Sequence, residues 1–267
     1  MRIYAPLLLA LTLALPARSH EFWISPDAYQ VPPGGQIIAE LRVGEKLKGA
    51  GYPYIPARTA RFDILQGDQR IDPEARMGDR PALTREMPAP GLAIVVHETA
   101  DNVLKYTDWK KFVAFTDHKD FAWAQADHRT RGLPETGFRE TYRRYGKALV
   151  AVGDGTGADR PVGLETEIVA LANPYTDDLE AGLPVRVLYR GAPRRDVQVE
   201  LFGRGPDGKV AVSLHRTDDA GRVVLPMAPE TEYLVDSVII EPLDPAEEGD
   251  PVWHTLWASL TFQTPAR

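Results

Sequence analysis

After residue 20 the apolar positions of this chain recur mainly at every second place, the period of strands with one buried face. "YQVPPGGQIIAELRV" (29–43) sets a turn at Pro33–Gly35 before a β-branched run. "ARFDIL" alternates, and "GLAIVVHET" is a short continuous apolar strand. Between Tyr106 and Arg131 the texture changes. Trp109, Phe112 and Phe115 fall three apart with charges between them, which predicts a helical face, and Gly132–Pro134 supplies its stop. One or two short helices are expected there. From about Gly163 short strands return in "LETEIVALANP", "LPVRVLYRG", "DVQVELF", "EYLVDSVII" and "WASLTFQT", with tight turns at Pro206–Asp207–Gly208 and Asp219–Ala220–Gly221. The expected fold is mainly β: two immunoglobulin-like β-sandwich domains, residues 20–162 with a helical insert near 107–131, and residues 163–267. No repeat or low-complexity linker separates the halves, so they are expected to share an interface.

The first 19 residues follow a different pattern. Arg2 precedes an apolar run, Ala5 to Leu15, broken only by Thr12 and followed by Pro16. The run is about half of the roughly 20 residues a membrane-spanning helix needs. With small residues at Ala17 and Ser19 it reads as a secretory signal peptide cut after Ser19. The exported protein is expected in the periplasm, with no membrane span in the mature chain.

Composition narrows the functional classes. There is no cysteine among the 267 residues, which removes disulfides, lipidation and thiolate metal ligands. Without Arg2 and Arg18 the chain has 29 basic against 38 acidic residues, a net charge of −9 with histidine neutral. An acidic chain without a basic run is a poor partner for nucleic acid or an anionic membrane. Enzyme motifs are missing: there is no GxSxG elbow, no HExxH, and Gly153–Gly157 ("GDGTG") lacks the P-loop lysine. No enzymatic activity is expected.

Cleavage after Ser19 makes His20 the first residue. Its α-amine, with an ordinary pKa near 8, and its own imidazole Nδ1 then chelate one metal ion together. One more imidazole completes a T-shaped site of three nitrogens suited to copper. With Ser19 first, the amine, an amide nitrogen and the His20 imidazole make a square-planar site for nickel or copper. With Arg18 first, His20 stands third, as in the amino-terminal copper/nickel motif. The bland alternative is a histidine that merely starts a strand.

Two histidines are candidates for the second ligand. His97 ends the apolar strand, and His118 in "FTDHKDFAW" stands beside Asp117 and Asp120, which could fix its tautomer. His128 reads as solvated surface, His254 as a core histidine on the last strand, and His215 as exposed opposite Val210, Val212 and Leu214. "GYPYIP" (51–56) reads as surface packing, with a ligand groove as the alternative. Arg139, Glu140, Arg143, Arg144 and Lys147 read as an ion network.

"HEFWISPDAYQVPPGG" after a signal peptide, with "HKDFAWA", "RGLPETGFRETYRRYGKALVAVGDG", "ETEIVALANPYTDDL", "LYRGAP", "TDDAGR" and "WASLTF", resembles a bacterial periplasmic family of unknown function grouped with NikM-like nickel/cobalt uptake components. The likeness runs from His20 to about Phe262. It implies an accessory in nickel or cobalt uptake that handles a divalent transition metal and meets an envelope transport component. The terminal chelate alone favours copper. Two other readings stay open: a non-enzymatic two-sandwich module that docks an envelope partner, and a copper oxidase built on a histidine brace.

Overall fold

In the computed structural model the described residues are 20–266, so the expected signal segment and cleavage point lie outside them. In chain order the first half contributes β1 (Glu21–Pro26), β2 (Gln30–Val31), β3 (Gly35–Glu45), β4 (Lys48–Tyr52), a 3-10 turn (Pro56–Arg58), β5 (Thr59–Gln66), β6 (Gln69–Ile71), β7 (Leu83–Met87), β8 (Gly91–Thr99) and β9 (Asn102–Lys105). Helices α1 (Trp109–His118) and α2 (Trp123–Thr130) follow, then the long strand β10 (Arg139–Val152). The second half adds β11 (Thr166–Ala170), β12 (Leu183–Tyr189), β13 (Ala192–Pro193), β14 (Gln198–Arg204), β15 (Val210–Arg216), β16 (Arg222–Leu225), β17 (Glu232–Pro242) and β18 (Pro251–Gln263). The fold is mainly β, as expected, with two short helices where the aromatic spacing placed them.

Ten strands form one central sheet in the order β15-β14-β17-β18-β10-β8-β5-β6, with β2 and β9 also on β10. A sheet of β1, β3, β4 and β7 covers part of one face, and a sheet of β11, β12, β13 and β16 covers the other. Alternation then explains why β8 is apolar throughout. Ala93 and Val95 pack with Phe22, Ile24 and Ile37 on one side; Leu92, Ile94 and Val96 pack with Ile168, Val185 and Val187 on the other. A strand buried on both faces has no polar side to show.

The boundary read at 162/163 falls between β10 and β11, and the central sheet crosses it. β18 lies between β17, to which it is antiparallel, and β10, to which it runs parallel from Arg139↔Pro251 to Ala148↔Thr261. The interface expected between the halves is therefore a continuous hydrogen-bonded ladder.

On β18 the side chains of Trp253, Trp257 and Thr261 share a face. Thr261 Oγ1 donates to the carbonyl of Ile24 in β1 at 2.7 Å. Phe115 of α1 stacks on Trp257 at 5.7 Å and Phe112 lies 5.7 Å from Trp253. The helices and β1 thus sit side by side on one face of the central sheet. Asp108 caps α1 by accepting the Lys110 amide at 3.0 Å. Gly146 of β10 lets β1 approach, because a Cβ there would meet the Phe22 ring at 2.9 Å. Among the described residues no helix is long and apolar enough to cross a membrane.

Two histidine expectations are corrected. His128 is fully buried, not solvated: its Nδ1 accepts the Trp253 indole N–H at 3.0 Å and its Nε2 lies 3.0 Å from the Pro134 carbonyl. His215 is half-buried while Val212 and Leu214 are exposed, so β15 turns its apolar side outward. His254 is half-buried and hydrogen-bonded to Thr141.

Candidate metal and ligand sites on the two sides of β1

The start of β1 separates two groups of polar side chains. Glu21 faces α1 and the strands β14 and β17. His20 and Phe22 face a cleft bounded by β3, β5, β8 and the "GYPYIP" loop.

On the Glu21 side, Lys119 follows the last residue of α1 and drives its side chain inward. Its Nζ lies 2.9 Å from Asp236 Oδ2, 3.1 Å from Glu200 Oε2 and 3.7 Å from Glu21 Oε1. All four residues are almost wholly buried. His118, half-exposed at the rim, brings Nε2 to 3.3 Å from Glu200 Oε1. Donor atoms of Glu21, His118 and Glu200 converge within 4.8 Å of one another. Gln198 fixes the rim by donating to the His118 carbonyl at 2.9 Å and to Glu200 at 3.1 Å.

Charge in this cluster is unbalanced: three carboxylates stand against one ammonium. Glu21 Oε2 and Asp236 Oδ1 are buried without a hydrogen-bond donor among the described residues, while Glu200 Oε2 has only the Lys119 ammonium. Burial raises the Glu21 pKa to about 7, with Lys119 opposing and Asp236 and Glu200 reinforcing the shift. Burial likewise raises Asp236. For Glu200 burial pulls upward, but the His118 hydrogen bond and the Lys119 charge outweigh it and hold the pKa low. Burial also opposes the charge on Lys119, yet Asp236, Glu200 and Glu21 together keep its pKa raised.

The cleft on the other side encloses about 260 Å³. His97 forms part of its wall, between the rings of Phe22 and Phe62 at 5.4 and 5.2 Å. Its Nε2 is 3.3 Å from Thr59 Oγ1, and that hydroxyl donates its proton to the Ile55 carbonyl at 3.1 Å. The proton of the imidazole therefore sits on Nε2, leaving Nδ1 with a bare lone pair and no partner among the described residues. Burial lowers the His97 pKa to about 3, so the ring is neutral. Arg144 makes no ion pair among the described residues; its only side-chain acceptor there is the His20 carbonyl, at 3.4 Å, and its guanidinium stands 4.8 Å over the Tyr142 ring. Arg58 joins it, and no aspartate or glutamate lines this cleft.

The structure thus brings His20 and His97 to one cleft and places His118 in the other group, with the neighbour of His20. Sequence reasoning missed Glu21, Lys119, Glu200, Asp236 and Arg144. The available signal was a carboxylate inside an apolar run, as in "YLVDSVII" and "VQVELF". The "GYPYIP" segment, read as surface packing, supplies Tyr52, Pro53 and Ile55 to the cleft. The expected ion network is divided: Lys147 is buried on Asp159 at 2.7 Å, Arg143 pairs with Glu98 and Asp101, and Arg144 stays unpaired.

A family model described as "Domain of unknown function (DUF4198)" matches residues 17–241. No curated protein matches the chain. Among solved structures, a tetra-tandem repeat from the extending region of a large adhesion protein is similar at 8% identity and a TM-score of 0.21. The alignment covers 91% of this chain and 49% of that one, so the chain spans about half of its length. A superposition that loose bears on neither fold nor function.

Proposed function

The chain belongs to the DUF4198 family, a domain with no assigned function, and we propose that it is a periplasmic protein that binds a divalent transition ion through Glu21, His118 and Glu200. The observation that carries this reading is the convergence of one imidazole nitrogen and two carboxylates within 4.8 Å, next to two buried oxygens, Glu21 Oε2 and Asp236 Oδ1, that lack donors among the described residues. Lys119 supplies one positive charge to three carboxyl groups, and a dication would favour the ionised forms of Glu21 and Asp236 that burial disfavours. One nitrogen with several oxygens suits nickel, cobalt, manganese or zinc better than copper, which seeks more nitrogen. The likeness to nickel/cobalt uptake components supports nickel or cobalt as cargo, handed to an envelope transport component.

The His20–His97 cleft is the second candidate, since a terminal chelate needs a further imidazole with a free lone pair. Its charge argues against a bare dication. Unit charges about 4 Å apart interact by about 4 kcal/mol at an effective dielectric near 20. Arg144 and Arg58 line this cleft with no carboxylate and disfavour a dication, whereas the Glu21 cluster attracts one.

Calorimetric titration with nickel(II), cobalt(II) and copper(II) tests the choice. The forms compared are the chain starting at His20, His118→Ala, and a chain with one alanine added before His20. Loss of affinity by at least tenfold in His118→Ala, with the extended form unchanged, is expected. The opposite pattern moves the ion to the terminal chelate, and no heat for any metal at millimolar concentration overturns the reading.

A further inference from the structure

We propose that the cleft between β1, β5, β8 and the 51–56 loop binds a small organic carboxylate with an apolar body, a function separate from ion binding. Arg144 lines this cleft. A guanidinium carries five N–H donors, and buried donors are nearly always satisfied. Here the described residues offer one acceptor, the His20 carbonyl, while the buried Nε has none. Arg143, its neighbour, is instead paired with both Glu98 and Asp101, so carboxylates are within the chain's means at this edge. Arg144 feels the charges of Asp236 and Glu140 but has no carboxylate at ion-pair distance among the described residues, and it lines the cleft.

Arg58 adds a second guanidinium from the 3-10 turn, also without an ion pair among the described residues. The planar fork of arginine matches a carboxylate through paired hydrogen bonds. The cleft is not merely an anion hole, because Phe22, Leu41, Val43 and Tyr52 give it an apolar wall. A volume of about 260 Å³ admits a ligand of one ring or a short branched chain. His97 contributes a neutral ring to the same wall. If export processing starts the chain at His20, its α-ammonium adds positive charge to the same wall.

The test uses benzoate as probe, with benzamide and inorganic phosphate as controls, followed by calorimetry and ligand-observed NMR on the chain starting at His20. Benzoate is expected to bind, benzamide to bind at least tenfold more weakly, and phosphate not to compete. Arg144→Gln should weaken benzoate at least tenfold and the exposed Arg58→Gln about threefold, with His118→Ala unchanged. Because Arg58 lies on the surface, its variant reports on binding even if Arg144→Gln misfolds. Equal binding of benzamide shows an apolar hollow only, and competition by phosphate shows an inorganic anion site. Either result overturns the proposal, as does the absence of benzoate binding at 20 mM or loss of it in His118→Ala.

Discussion

Lys119 Nζ and Asp236 Oδ2 meet at 2.9 Å across 117 residues of sequence, joining the end of α1 to the middle of β17 inside the protein. Removing one member of a buried ion pair leaves its partner uncompensated, at a cost of about 3–5 kcal/mol. Lys119→Met therefore lowers unfolding stability by about that amount in urea titrations. A bound dication restores part of the missing charge, so millimolar nickel(II) should narrow the gap between variant and wild type. An equal gap with and without nickel counts against ion binding at this cluster.

His128 is placed by packing and carries no ligand role. His128→Ala leaves the Trp253 indole N–H without its acceptor and opens space beside Phe138, whose ring centroid is 4.4 Å away. An orphaned donor and a cavity together cost about 3 kcal/mol. The expected result is a lower thermal midpoint with shifted tryptophan fluorescence and unchanged metal affinity.

Burial of neutral His97 makes stability depend on pH. Below about 6.5 the unfolded chain binds a proton there, while the folded chain resists until about pH 3. Across that window this residue removes about 1.4 kcal/mol of stability for each unit the pH falls. Glu21 and Glu140, both held near 7 chiefly by burial, slope the other way from about pH 4.5 to 7, since the folded chain keeps their protons longer. The difference between wild type and His97→Leu isolates the histidine. It should shift steadily toward the variant between pH 6.5 and 4, and a flat difference would mean that His97 becomes protonated in the folded protein.

Neither half of the central sheet is complete without the other. Residues 20–162 alone expose the edge of β10 that β18 covers over ten paired positions. That fragment should aggregate or lack a cooperative thermal transition, as read by circular dichroism. Co-refolding with residues 163–267 should restore one.

Much of this was legible locally. β8 declared itself by an unbroken apolar run, α1 by aromatics three apart, and the β14–β15 hairpin turn by Asp207–Gly208. The β10–β18 pairing was not legible, because strands about 110 residues apart leave no local trace when they pair in parallel. His128 was misread because its helix is short and polar, and only the tryptophan opposite it reveals the buried side. The Glu21 cluster draws one residue each from β1, β14 and β17 and two from the end of α1. No spacing rule joins them, although an aspartate among the valines and isoleucines of β17 marks a place where charge must be answered.

The central position of β18 also sets a temporal order on assembly. A polypeptide emerging from its amino end presents residues 20–152 well before residues 251–263. Until that later segment arrives, β10 has an open flank and the two cores have no common wall. Early strands must therefore wait, or a chaperone must shield that flank, and the chain locks into shape only once its late strand slides home.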